Sequence, residues 1–128
     1  MSEKVLNRIL YVEDEKDIQA VAQIALEAVG GFTMQICSDG EEALKVAEKF
    51  APDLLLLDVM MPNLDGPATL SELKKIASLA NTPAIFMTAK VQSHEVEELI
   101  NLGAVAVIAK PFDPMALSSQ IKEIWDKL

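Results

Sequence analysis

Four places along this 128-residue chain carry side chains that could do chemistry together. Glu13, Asp14 and Glu15 follow a short apolar run, and Asp58 follows four leucines. Thr88 closes the run Ala84–Met87, and Lys110 stands before Pro111 after the run Ala104–Ala109. Three or four carboxylates brought to one rim repel each other unless a cation sits among them. Hard oxygen donors with room for water favour Mg²⁺ or Mn²⁺ over a metal that prefers soft ligands. A lysine ammonium and a threonine hydroxyl at the same rim supply positive charge and a hydrogen-bond donor, which is what a phosphoryl group needs. A carboxylate is already ionised at neutral pH, so one placed among metal, lysine and hydroxyl can attack phosphorus without a general base. The product would be an aspartyl phosphate.

Such a set is useful only if the fold gathers it. Short apolar runs at Ile9–Val12, Leu54–Leu57, Ala84–Met87 and Ala104–Ala109 suit strands covered on both faces. Phe32–Cys37 alternates instead, as an edge strand does. Helical patterns lie between them. Ile18, Val21, Ala22, Ala25, Leu26 and Val29 mark the first, stopped by Gly30-Gly31. Ala43, Leu44, Ala47 and Phe50 mark the second, with Ser38 to Glu41 as its capping box. Leu70, Leu73 and Ala77 mark the third, and Val96, Leu99 and Ile100 the fourth, closed by Gly103. Leu117, Ile121, Ile124, Trp125 and Leu128 mark the fifth, with Asp113 as N-cap and Pro114 at its first position. The order (βα)₅ predicts an α/β domain over 1–128, a parallel sheet wound on both faces, with strands near 8–13, 32–37, 53–58, 83–88 and 105–109. Ligands of an open parallel sheet bind beyond the carboxyl ends of its strands, which is where Glu13, Asp14, Asp58, Thr88 and Lys110 fall.

Composition narrows the function classes. The net charge of −9 and pI near 4.5 disfavour direct binding to a phosphate backbone and suit cations or basic protein partners. Cys37 is the only cysteine, which fits a reducing compartment and a buried structural thiol. The first ten residues lack the apolar core of a signal peptide, and no apolar run is long enough to span a membrane. A cytoplasmic location is expected.

The runs Tyr11-Val12-Glu13-Asp14-Glu15, Leu57-Asp58-Val59-Met60-Met61-Pro62, Asp65-Gly66, Met87-Thr88-Ala89 and Ala109-Lys110-Pro111-Phe112 occur in this order over nearly the whole chain. With them the chain resembles the receiver domains of two-component response regulators, including chemotaxis regulators. The resemblance implies a flavodoxin-like sheet of order 2-1-3-4-5 and a phospho-switch that is not a conventional enzyme. It implies Asp58 as phospho-acceptor, with Mg²⁺ or Mn²⁺ held by the side chains of Asp14 and Asp58 and the backbone carbonyl of Met60. Glu13, where the family often has Asp, would act through a metal-bound water. Thr88 would bind the phosphoryl oxygen and Lys110 would pair with the phosphate. The implied partners are a histidine kinase or histidine phosphotransfer protein and an unspecified protein target on helix four, strand five and helix five. A receiver fragment of a larger regulator or hybrid kinase is the alternative.

Several residues carry simpler expectations. Asp14 could cap the first helix, Glu15 faces solvent, and Gly66 permits a turn or close packing. His94 is a surface residue, and Met60 and Met61 are loop residues shielding the site. Trp125 suits core packing or an exposed patch equally. Lys110-Pro111 is a candidate cis peptide. Val107 stands where many receivers carry a switching aromatic, so readout would rest on Thr88 and the loop through Ala89 and Lys90. Met60 and Lys90 flank the path of an attacking water, and an apolar Met60 would slow loss of the phosphoryl group. Three other classes fit less well. An aspartate-nucleophile phosphatase of the haloacid-dehalogenase kind needs an acid where Met60 stands. A flavodoxin-like electron carrier needs a phosphate loop where Glu13-Asp14-Glu15 stands. A dinucleotide-binding domain needs a glycine fingerprint after its first strand.

Overall fold

The computed structural model describes residues 5–128, so the first four residues of the expected 1–128 domain lie outside the described residues. Five parallel strands, β1 (Arg8–Val12), β2 (Thr33–Cys37), β3 (Leu54–Asp58), β4 (Ala84–Thr88) and β5 (Ala106–Ala109), lie in the order β2-β1-β3-β4-β5. The helices between them are α1 (Lys16–Gln23), α2 (Gly40–Phe50), α3 (Gly66–Lys74), α4 (Ser93–Asn101) and α5 (Leu117–Asp126). The sheet divides the apolar core into two by the alternation of its strands. Leu10, Val12, Leu55, Leu57, Ala84 and Phe86 pack on one face against Ala43 and Ala47 of α2, Leu70 and Leu73 of α3 and Leu99 of α4. Ile9, Tyr11, Leu54, Leu56, Ile85, Met87 and Ile108 pack on the other against Ala22 of α1 and Leu117 and Ile121 of α5. The leucine run Leu54–Leu57 is wholly buried because a central strand has core on both sides.

Each strand is one residue shorter than its expected range. Glu13 leaves β1, and Phe32, Asp53, Pro83 and Val105 precede their strands; Phe32 buries its ring beside the sheet without pairing. The first helix changes pitch, since Ile24–Val29 form a π-helical turn before Gly30. Gly31 then takes φ +76, a left-handed conformation that glycine adopts without strain. The capping box expected from Ser38 to Glu41 does not form, and the N-cap of α2 lies one residue later. Asp39 is the N-cap, accepting from the Glu42 N–H at 2.8 Å, and the Glu42 carboxylate accepts from the Ser38 N–H at 2.8 Å.

α3 ends at Lys74, and Ala77 lies exposed on a separate short 3₁₀ turn rather than on the buried stripe of that helix. Asp113 is not the N-cap of α5. Its carbonyl accepts from the Ala116 and Leu117 N–H groups and its carboxylate from the Met115 N–H, closing a turn that delays the helix to Leu117. Cys37 is buried, and burial, with help from Glu42 and Asp39, pushes its thiol up to about 12.

At the amino-terminal end of the sheet, one Asp53 carboxylate oxygen accepts from the Asn7 and Arg8 N–H groups at 3.0 and 2.9 Å. The Arg8 guanidinium donates to the Phe50 carbonyl at 2.8 Å and lies 4.3 Å from the centre of the Phe50 ring. The start of β1 and the α2–β3 connection are thereby joined at that end. No helix among the described residues is long and apolar enough to cross a membrane.

Candidate functional site

The pairing of β1 with β3 sets Val12 beside Leu57, so the next residues, Glu13 and Asp58, emerge together at the carboxyl-terminal rim. Thr88 pairs with Ala109 between β4 and β5, which brings Lys110 to the same rim one residue further on. The structure gathers Glu13, Asp14 and Asp58 so that one carboxylate oxygen from each lies within 4.8 Å of the others. Lys110 Nζ donates to Glu13 Oε1 at 3.0 Å and to Asp58 Oδ1 at 3.2 Å. The peptide between Lys110 and Pro111 is cis.

Charge is unbalanced here, with three carboxylates facing one ammonium. Burial, and next the Glu13 charge, push the Asp58 carboxyl from 3.8 up to about 6, although Lys110 opposes the shift. Burial works against the Lys110 ammonium, but hydrogen bonds and charge from Glu13 and Asp58 outweigh it and hold its pKa above the ordinary value. An all-oxygen, excess-negative cluster with a reluctant carboxylate fits a small divalent cation better than any soft-ligand metal.

Glu13 is 0% exposed, and both of its oxygens have protein donors. Oε1 accepts from Lys110 and, at 3.4 Å, from the Tyr11 hydroxyl; Oε2 accepts from the Glu15 N–H at 3.1 Å. Burial, with the Glu13 and Asp58 charges, raises the Tyr11 phenol above its ordinary value. Gln19 Nε2 donates to the Glu13 carbonyl and, at 3.3 Å, to Ser38 Oγ, which also takes Lys16 Nζ at 2.9 Å. Tyr11, Gln19 and Ser38 were not among the expected site residues. The signal for Tyr11 was its position two residues before Glu13, which puts both on one face of β1.

The remaining residues sort by position. Asp14 is half-buried and does not cap α1; Glu15, exposed, occupies that place without a side-chain cap bond. Thr88 is buried at the end of β4, its Oγ1 accepting from the Lys90 N–H at 3.1 Å. Ala89 and Lys90 are exposed, and Val107 packs against the core under α2, α3 and α4. Met60 is 64% exposed, as a loop residue over the rim should be, whereas Met61 is buried in the core and shields nothing. His94 is exposed and Trp125 is half-buried outside both cores.

Gly66, at the start of α3, lies against the backbone of the central acid. A methyl group there would stand 2.9 Å from Val59 Cα and closer still to the Asp58 carbonyl oxygen. Gly66→Ala is therefore expected to cost about 2 kcal/mol or more in chemical denaturation, because backbone rather than a flexible side chain must give way. A loss below about 0.5 kcal/mol would show that the contact is soft.

Comparison with known proteins agrees with this geometry. The model of the response regulator receiver domain matches residues 9–122. The chain is 38% identical over 117 residues to the alkaline phosphatase synthesis transcriptional regulatory protein PhoP of Bacillus subtilis, covering 91% of this chain and 48% of that protein. It is 39% identical over 116 residues to the transcriptional regulatory protein DltR of Streptococcus agalactiae, covering 90% and 50%. The chain thus spans about half the length of the curated relatives it matches. Among solved structures it resembles the chemotaxis protein CheY4 of Vibrio cholerae, with a TM-score of 0.86 and 25% identity over 94% of this chain and 99% of that one.

Proposed function

Because this chain belongs to the response regulator receiver family, we propose that Asp58 accepts a phosphoryl group from the phosphohistidine of a histidine kinase or phosphotransfer protein. The observation that carries this reading is the buried Asp58 carboxylate, bridged by Lys110 and crowded by two other acids. Asp58 Oδ attacks phosphorus; the new P–O bond forms as the P–N bond breaks, and the departing imidazole keeps the electron pair and takes up a proton. Lys110 turns from Glu13 to the phosphoryl oxygens, and the Thr88 hydroxyl donates to one of them. Asp14, Asp58 and the Met60 carbonyl would hold Mg²⁺ or Mn²⁺, with Glu13 acting through a water. The cation would neutralise charge that the single ammonium leaves over.

The chain acts in this reading as a switch rather than as a conventional enzyme. Its output would be a protein-binding surface of α4, β5 and α5, with Ala89 and Lys90 carrying the change outward from Thr88. Val107 stays packed in both states, and an exposed, apolar Met60 slows hydrolysis of the phosphoryl group. The acidic balance disfavours nucleic acid as a direct ligand of these 128 residues.

Acetyl phosphate is expected to load one phosphoryl group in Mg²⁺ and none in a chelator. At limiting Mg²⁺ the rate should fall about tenfold per pH unit below about 6. The Asp58 pKa is raised, so its ionised form is present above that value and is lost as the pH falls. Uptake of label that ignores Mg²⁺ would remove the basis of the proposal.

A further inference from the structure

Glu13 is a fully buried carboxylate whose only cationic partner among the described residues is also the ammonium that the phosphoryl group needs. When Lys110 turns outward, Glu13 keeps at most a water-mediated link to the cation, and a buried carboxylate that loses its direct charged donor is costly unless other donors hold it. Two donors remain in place. The Glu15 N–H serves Oε2, and the Tyr11 hydroxyl is the one left at Oε1, the oxygen Lys110 vacates.

The Tyr11 contact, at 3.4 Å, is long for a phenol donating to a carboxylate, where roughly 2.6 Å is usual. The ammonium at 3.0 Å occupies the same oxygen, and its departure leaves the phenol free to close the gap. Tyr11 cannot wander in the meantime: it is fully buried in the core under α1 and α5, anchored on β1 two residues from its acceptor.

We propose that Tyr11 is a positioning residue that holds Glu13 after Lys110 leaves it, making the lysine available to the phosphoryl group. The inference rests on the assignment of Asp58 as acceptor and of Lys110 as phosphate partner. It separates the resting site, where Lys110 satisfies Glu13 and Tyr11 contributes little, from the loaded site, where Tyr11 is the remaining side-chain donor. Replacing the hydroxyl should therefore tax the loaded state more than the resting one.

The experiment compares the unmodified protein with Tyr11→Phe for Mg²⁺ affinity alone and for affinity toward beryllofluoride, a phosphoryl mimic, in saturating Mg²⁺. Beryllofluoride affinity is expected to fall about fivefold while Mg²⁺ affinity changes less than twofold. In a Glu13→Gln background, which removes the charge to be held, Tyr11→Phe should no longer matter; a merely structural tyrosine would weaken binding equally in both backgrounds. Tyr11 is the only tyrosine in the chain, so the Raman marker of phenol hydrogen bonding reports on it alone and should strengthen when beryllofluoride binds. Equal beryllofluoride affinity for the Phe variant, or an unchanged marker, would overturn the role of Tyr11 and leave the acceptor assignment intact. No beryllofluoride binding by the unmodified protein would overturn both.

Discussion

Asp58→Asn is expected to lose phosphoryl uptake by at least roughly 10³-fold and, in the same protein, to gain stability. The loss follows from the chemistry: an amide has no ionised oxygen with which to attack phosphorus. The gain follows from the fold. The Asp58 carboxyl is raised from 3.8 to about 6 in the folded chain, so the folded state holds its proton more tightly than the unfolded state. An acid shifted in that direction favours folding below the unfolded value, and the advantage disappears as pH rises through the folded one. Above that interval the ionised group costs the metal-free fold about 3 kcal/mol. Asparagine escapes most of this cost but keeps less of the contact with Lys110, so about 2 kcal/mol should be recovered at pH 8 in a chelator and nearly none at pH 4. Saturating Mg²⁺ should narrow the gap, because only the carboxylate gains from the cation. Denaturation curves at the two pH values, beside phosphorylation by acetyl phosphate, check both halves. Undiminished labelling would displace Asp58 as acceptor; an asparagine variant no more stable at pH 8 would deny the crowding of charge.

Lys110→Met carries the opposite sign and a larger size. The ammonium is 16% exposed and bridges two carboxylates that are 0% and 5% exposed, so this is not a surface ion pair worth a fraction of a kcal/mol. Removing it leaves Glu13, Asp14 and Asp58 with no cation among them, and about 3 kcal/mol or more should be lost at pH 8 without metal. The loss should shrink at pH 5, where Asp58 has taken up a proton, and should shrink again at pH 8 when Mg²⁺ replaces the missing charge. A cost below about 1 kcal/mol at pH 8, or one independent of Mg²⁺, would mean that water already screens the cluster.

The sheet and the rim were legible because each depends on pattern. Four uninterrupted leucines between polar neighbours can hardly be other than a doubly covered strand, and the polar residue that ends such a strand must emerge where ligands bind. The common rim position of Asp58, Asp14, Glu13 and Lys110 was legible in that way. Other features depend on quantities that a linear pattern does not carry. Met60 and Met61 are adjacent and chemically identical, yet one is 64% exposed and the other buried, a difference that residue type does not carry. Asp113 followed by proline reads as a helix start, but its bond to Met115 stabilises a turn first. The partnership of Tyr11 with Glu13 needed the depth of both side chains, and the extra carboxylate methylene of Glu relative to Asp is what reaches back to the phenol and Lys110 together. The π-helical turn after Gln23 has the same apolar spacing as an α-helix over so few residues, and no residue type announces it.

The joint at the other end of the sheet, where Arg8 and Asp53 tie β1 to the α2–β3 connection, has a mechanical consequence. A sheet pinned at one margin and loaded with repelling charge at the other behaves as a cantilever. Displacement concentrates at the free margin, and the clamped one serves as its fixed reference. β4 and β5 lie on the side of the central strand away from that clamp, so a displacement on loading is expected to be larger there than at Arg8 and Asp53.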